Sequence, residues 1–247
     1  MQVGGGQLIC HNEGLRLALI GARASAYANA QLDDYGASPT RIDWIHRSQF
    51  RWQPPLRFSI RARTSGPLAG TAGFGFWNNP FSPLGTTLTL PATLWFFCGS
   101  PPGNLPFALG VPGHGWKAAT LDATTPEAWR WAPLAPAVML LNNNAFLERR
   151  IWPRAMRDLR IAEQTIETPD PEWRSYIIEW RRDGAMFSID GREVFATEVA
   201  PQGPLGLVAW VDNQWMIATP HGRFGWGRLD PPNQWLDLAD LQIESLE

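Results

Sequence analysis

Apolar and polar side chains alternate from residue 27 to residue 35. Tyr27, Asn29, Gln31, Asp33 and Tyr35 fall on one face, and Ala28, Ala30, Leu32 and Asp34 on the other. A period of two over this length predicts a half-buried strand with a polar, ring-bearing side. Residues 57–63 alternate again, Phe58, Ile60 and Ala62 opposing Arg57, Ser59, Arg61 and Arg63, which marks the core side. Further short strands are read at 73–77, 93–98, 175–180, 186–189, 205–211 and 238–245, most of them separated by Gly, Pro, Asn or Asp. Arg182-Asp183-Gly184 is a hairpin signal between two of them. Many strands, one good helical stretch and no strand–helix–strand rhythm predict an all-β antiparallel sandwich or jelly roll, built as one domain over 1–247.

The period changes between residues 126 and 167, where a helical insertion is expected. Leu147, Ile151, Met156, Leu159, Ala162 and Ile166 gather near one helical face, Arg149, Arg150, Arg154, Arg157 and Arg160 crowd the others, and Pro153 is expected to kink or restart the helix. Three roles are open for it: a helix packed across the sandwich with a solvated basic face, a lid over an apolar site, or an element at 145–166 that docks on a membrane surface or a partner.

Composition narrows the chemistry. The 247 residues carry 21 Lys+Arg against 23 Asp+Glu, a formal net charge of -2, so no general attraction to nucleic acid is expected. Two cysteines and four histidines give neither a disulfide framework nor zinc-ligand spacing, and no metal or cofactor is expected. Cys98, in an apolar strand, reads as an inert buried thiol. Gly4-Gly5-Gly6 reads as a flexible start rather than a phosphate loop, and nothing in the spacing of His46 or His221 marks a ligand. The first twenty residues lack the pattern of a secretory signal, and no apolar run is long enough for a membrane helix, so the cytoplasm is the expected location. The 14 Trp, with 22 Pro and 23 Gly, favour short strands, tight turns and stacking surfaces.

From Thr64 to Trp116 there is no Asp, Glu, Lys or Arg, and aromatic residues sit beside small ones throughout, as in Gly70-Thr71-Ala72-Gly73-Phe74-Gly75-Phe76-Trp77. That segment and the preceding 56–63 strand, then Trp173-Arg174-Ser175-Tyr176-Ile177-Ile178-Glu179-Trp180 with Ala185-Met186-Phe187-Ser188-Ile189-Asp190-Gly191, then Pro204 to Gln214 and the closing 238–243 strand, occur in a telling order. In these stretches the chain resembles the concanavalin-A-like lectin/glucanase superfamily, nearest to the family 16 glycoside hydrolases. The resemblance covers roughly residues 25–125 and 170–247 and leaves the helical insertion outside. It implies a jelly-roll sandwich with a ligand groove. Those hydrolases carry Glu-x-Asp-x-(x)-Glu on one strand, and the corresponding stretch here, between residues 91 and 105, has no acidic residue. Family 16 hydrolysis is therefore expected to be absent.

Two uses of such a groove are open. Trp77, Trp95, Trp116 and Trp210 can stack on a sugar or another flat ligand, with Asn78, Asn104, His114, Asn213 and Gln214 holding its polar edges, as in a lectin-like module. The other use is the one the sequence favours, because the missing secretory signal and a lid-like insertion suit a metabolite better than an extracellular polysaccharide: Asp33, Tyr35, Lys117 and Asp212 serve as acid–base groups of an isomerase, cyclase or hydratase acting on an apolar, ring-containing small molecule. Against the second use, Asp33 reads equally well as the ion-pair partner of Arg61 or Arg63 on a neighbouring strand.

Overall fold

The computed structural model describes residues 1–36, 50–80, 89–106, 108, 110–168 and 171–246, and His46 lies outside them. Two antiparallel sheets of seven strands each form the sandwich. The front sheet runs, edge to edge, β1 (Gln2–Val3), β4 (Asn29–Asp33), β13 (Gly206–Asp212), β6 (Thr71–Trp77), β7 (Ala92–Gly99), β8 (Gly115–Asp122) and β9 (Ile161–Thr165). The back sheet runs β12 (Arg192–Thr197), β11 (Ala185–Ile189), β10 (Arg174–Trp180), β5 (Leu56–Thr64), β16 (Gln234–Ser245), β3 (Gly14–Leu19) and β2 (Gly6–His11). The all-β jelly-roll class expected from the alternation holds. The 57–63 pattern is β5, with Phe58, Ile60 and Ala62 buried, and Arg182-Asp183-Gly184 turns β10 into β11.

The inward residues of the two sheets make one core. Phe74 and Phe96 of the front sheet meet Tyr176 of the back sheet edge-on, each at 5.1 Å between ring centres, and Phe76 lies 5.5 Å from Trp180. Each such ring, fully buried, contributes about 1.5–3 kcal/mol of apolar transfer. Trp180 also satisfies its indole N–H, donating to the Pro201 carbonyl at 2.8 Å.

The helical insertion divides into α1 (Pro126–Trp129), a 3-10 turn at Ala132–Leu134, α2 (Ala135–Leu141) and α3 (Ala145–Asp158). Thr125 caps α1 ahead of Pro126, and the Asn144 side chain caps α3 by accepting from the N–H groups of Phe146 and Leu147. The insertion is shorter than its period implied. Arg160 takes a left-handed φ of 51°, which ends the helix, and Ile161–Thr165 becomes an edge strand of the front sheet. Pro153 does not restart the helix, since α3 runs through it.

Two further readings change. Arg61 pairs with Asp240, and Arg63 with Asp237 and Glu13, all on the back-sheet side, so neither is the partner of Asp33, which is on the front sheet. Gly4 to Gly6 form a turn locked between β1 and β2 rather than a flexible start. Gly4 has a φ of 57°, and a Cβ on Gly6 would lie 1.9 Å from the Asn29 carbonyl oxygen.

Candidate functional site

Strand parity and register decide which side chains share the outer face of the front sheet. One row across it is Gln31, Trp210, Gly73, Phe97 and Lys117; the next is Asp33, Val208, Gly75, Trp95, Ala119 and Glu163; beyond it lie Gly206, Trp77 and Thr93. Rings fill the places where glycines leave no side chain. A Cβ on Gly73 would come within 2.7 Å of the Trp210 ring, and one on Gly206 within 2.2 Å of the Tyr35 ring. The result is a sheet-lying floor of rings: Trp95 stacks on Phe97 at 5.6 Å, and Trp210 and Trp77 lie 5.2 and 5.8 Å from Trp95. Tyr35 and Phe50 meet edge-on at 5.4 Å beside it.

A polar ladder borders this floor along β4. The Asn29 amide donates to Gln31 at 3.3 Å, and the Gln31 amide donates to the Asp33 carboxylate at 3.1 Å and the Tyr35 hydroxyl at 3.5 Å. The Tyr35 oxygen also accepts the Trp77 indole N–H at 2.6 Å, so the ladder is fastened to the rings. Burial, with Asp33 and Asp34 nearby, pushes the Tyr35 pKa up against the opposing Trp77 bond, and the phenol stays neutral. Trp77, Trp95, Phe97 and Asp33 are half-buried, so parts of the rings reach the surface.

The other residues singled out in the sequence are engaged elsewhere, although Lys117 lies beside Phe97 and Asp212 is linked to Trp210 through the Thr71 hydroxyl. Trp116 points into the core between the sheets, because Lys117, its neighbour in β8, faces outward. Lys117 is engaged and covered: its ammonium donates to Glu163 and to the Leu105 carbonyl, each at 3.0 Å, while Glu163 also accepts from the Ala108 N–H. Burial lowers the Lys117 pKa, opposed by the charge of Glu163. Asp212 sits at the end of β13, where one carboxylate oxygen accepts from the Thr71 N–H, the Thr71 hydroxyl and the Gln214 N–H. Burial outweighs those bonds and raises its pKa to about 7.

Asn213 is wholly occupied as a loop staple, accepting from Ala28 and donating to the carbonyls of Arg23, Ala26 and Leu229. Asn78 likewise ties Leu90 and Ala92. Asn104 bridges to Ile217 through its backbone, and His114 and Gln214 are exposed. Sequence reasoning missed Phe97 and Glu163. Counting two residues on from Trp95 finds the first; nothing local pairs Glu163 with a lysine 46 positions away.

A hairpin of β14 (Gln214–Ala218) and β15 (Phe224–Arg228) starts at the Asp212 end of the front sheet, and the helices start at the opposite end, after Asp122. They meet: Asn142 donates to the Pro220 carbonyl and Asn143 to that of His221, both at 2.9 Å, and His221 lies 3.0 Å from Glu148. The helices and hairpin thus form an arch joining the two ends of the sheet. Elsewhere, a cleft of about 620 Å³ opens between the edge strands β9 and β12, lined by both charge signs, including Glu167, Arg174, Asp190 and Arg192. Among the described residues no group of three or more His, Cys, Asp or Glu is arranged to hold a metal ion, and no helix is long and apolar enough to cross a membrane.

No family model and no curated protein matches the sequence. Among solved structures, the chain is similar to a GlcNAcα1-4Gal-releasing endo-β-galactosidase from Clostridium perfringens, at 12% identity over 94% of this chain and 52% of that one, with a TM-score of 0.47. It is also similar to a GH16 protein of a Bacteroides ovatus mixed-linkage glucan locus (9% identity, 97% and 85% covered, TM-score 0.43). A carbohydrate-binding module from Bacillus subtilis is a third (9%, 99% and 94%, 0.39).

Proposed function

We propose that the outer face of the front sheet binds a ring-shaped ligand with apolar faces and polar edges, a sugar ring being the chemistry that fits, and holds it without hydrolysing it. The observation that carries this reading is the juxtaposition of the Trp77, Trp95, Phe97 and Trp210 floor with the Asn29, Gln31, Asp33 and Tyr35 ladder. The part-exposed Trp77, Trp95 and Phe97 rings stack against the C–H face of a sugar and the half-buried Asp33 takes a hydroxyl, while Trp210, Asn29, Gln31 and Tyr35, buried beneath, hold those groups in place.

Among the described residues, the spacing of the carboxylates on this face argues against a hydrolytic pair. Asp212 lies four residues along β13 from the register partner of Asp33, about 14 Å away, and Glu163 is five strands across, about 24 Å away. Both separations exceed the roughly 5 to 10 Å that retaining or inverting hydrolysis uses. The one titratable group the ladder sets beside Asp33 is the Tyr35 phenol, and it is buried, kept neutral by that burial and held by Gln31 and Trp77. Lys117 is held by Glu163 and Leu105, and Asp212 by Thr71 and Gln214, which argues for binding over catalysis.

The test is a thermal-shift and native mass-spectrometry screen against oligosaccharides and against terpenoid, polyketide and aromatic metabolites, with Trp95→Ala in parallel. Stabilisation by oligosaccharides, lost in Trp95→Ala and accompanied by no product, is the expected result. Stabilisation by an apolar metabolite with turnover overturns it.

A further inference from the structure

The helical insertion and the β14–β15 hairpin carry a second surface, independent of the ring floor. Apolar side chains stand in solvent on both: Leu140 of α2 is 74% exposed, Phe146 in the first turn of α3 is 65% exposed, and Trp226 of β15 is 80% exposed, with Leu134, Leu141 and Phe224 exposed beside them. None of the α2 side chains described is buried. The contacts of Asn142, Asn143 and Glu148 with Pro220 and His221 bring the α2–α3 corner and the hairpin tip side by side, so the apolar residues occupy neighbouring protrusions. Isolated exposed apolar residues are ordinary, but a cluster on adjoining elements is not.

Charge says what covers it. Arg130, Arg149, Arg150 and Arg154 have no ion-pair partner among the described residues, and all four are exposed. The acids of the insertion are few and engaged in part: Glu148 faces His221, and Asp158 accepts the Trp131 indole N–H. The Arg150 guanidinium lies over the Phe146 ring at 5.0 Å, which places a cation at the base of an apolar side chain. Exposed Leu, Phe and Trp on elements that also carry exposed Arg, unpaired among the described residues, are matched by a bilayer interface, where apolar side chains enter the acyl boundary and guanidinium groups meet anionic headgroups.

We infer that the α2–α3 corner and the β14–β15 hairpin form a peripheral docking surface for anionic membranes. Binding rests on the apolar tips for insertion and on the arginines for headgroup selection. Vesicle flotation tests it, using the full chain with vesicles of phosphatidylcholine alone and of phosphatidylcholine mixed with phosphatidylserine. Flotation with the anionic vesicles only, weakened by added salt, is expected. Neutralising Arg149, Arg150 and Arg154 to Gln should weaken binding about fivefold per arginine, the effect of about 1 kcal/mol each. The Leu140→Ser/Phe146→Ser variant should lose flotation while keeping the wild-type melting temperature, since both side chains are exposed. No flotation with either vesicle, equal flotation with both, or full flotation of the variants overturns the inference. So does a dimer, seen by light scattering, that Leu140→Ser/Phe146→Ser dissociates, because a second copy would then cover the patch.

Discussion

The Lys117 ammonium and the Glu163 carboxylate face each other at 3.0 Å with side chains only 1% and 3% exposed, joining β8 to the edge strand β9. Glu163 also accepts from the Ala108 N–H and Lys117 donates to the Leu105 carbonyl, so this one pair ties an edge of the front sheet to Leu105 and Ala108. Removing one partner strands the other charge in an apolar setting. Lys117→Met or Glu163→Leu alone is expected to cost about 3–5 kcal/mol in urea unfolding, and the double variant to recover most of that. Equal losses in the single and double variants would contradict this account.

Asp212 makes stability depend on pH in a defined direction. Its folded pKa is about 7 against an ordinary value of 3.8, so the native state binds the extra proton between those values. Stability from this group is therefore highest below pH 4 and falls as pH rises towards 7, by a few kcal/mol at most. Asp212→Asn keeps an oxygen for Thr71 and Gln214 and removes the ionisation. The variant is expected to be more stable than wild type at pH 8 and equal to it near pH 4, as read from the difference between their urea midpoints.

The ring floor depends on missing side chains. Gly206→Ala sets a Cβ 2.2 Å from Tyr35 and 2.9 Å from Phe50, and is expected to cost about 1–3 kcal/mol and to alter the near-ultraviolet circular dichroism. Gly99→Ala meets only Phe97, at 3.6 Å, and should leave both signals unchanged. Similar effects from the two would show that the floor is not packed as described.

Asp33 separates recognition from chemistry. If the ladder only holds hydroxyls, Asp33→Asn retains a side-chain oxygen and weakens oligosaccharide binding about tenfold or less, measured by titration calorimetry. Trp95→Ala, which removes the central ring, should abolish it.

Much of the sandwich is legible in alternation, and β5 and the β10–β11 hairpin fall where the pattern puts them. The site is harder, because β7 is apolar on both faces and composition does not say which side Trp95 takes. Parity carried one unused clue: Trp116 and Lys117 are adjacent in a strand and cannot both face one ligand. The end of the insertion was hidden for another reason. Ile161, Ala162 and Ile166 continue an apolar spacing that suits a helix, and only the backbone reversal at Arg160 and the pairing with β8 turn that stretch into a strand. Contacts such as Asn142 with Pro220 join positions 78 apart and leave no local trace.

The close seating of Trp210 against Gly73 and of Tyr35 against Gly206 has a thermodynamic consequence for recognition. Side chains already pinned to a backbone surface have little rotamer freedom left to lose, so a guest docks on a preorganised floor and affinity is not eroded by ordering the host. Most of the entropy lost on association would then come from the ligand, and a stiff cyclic guest would be favoured over a flexible chain with the same functional groups.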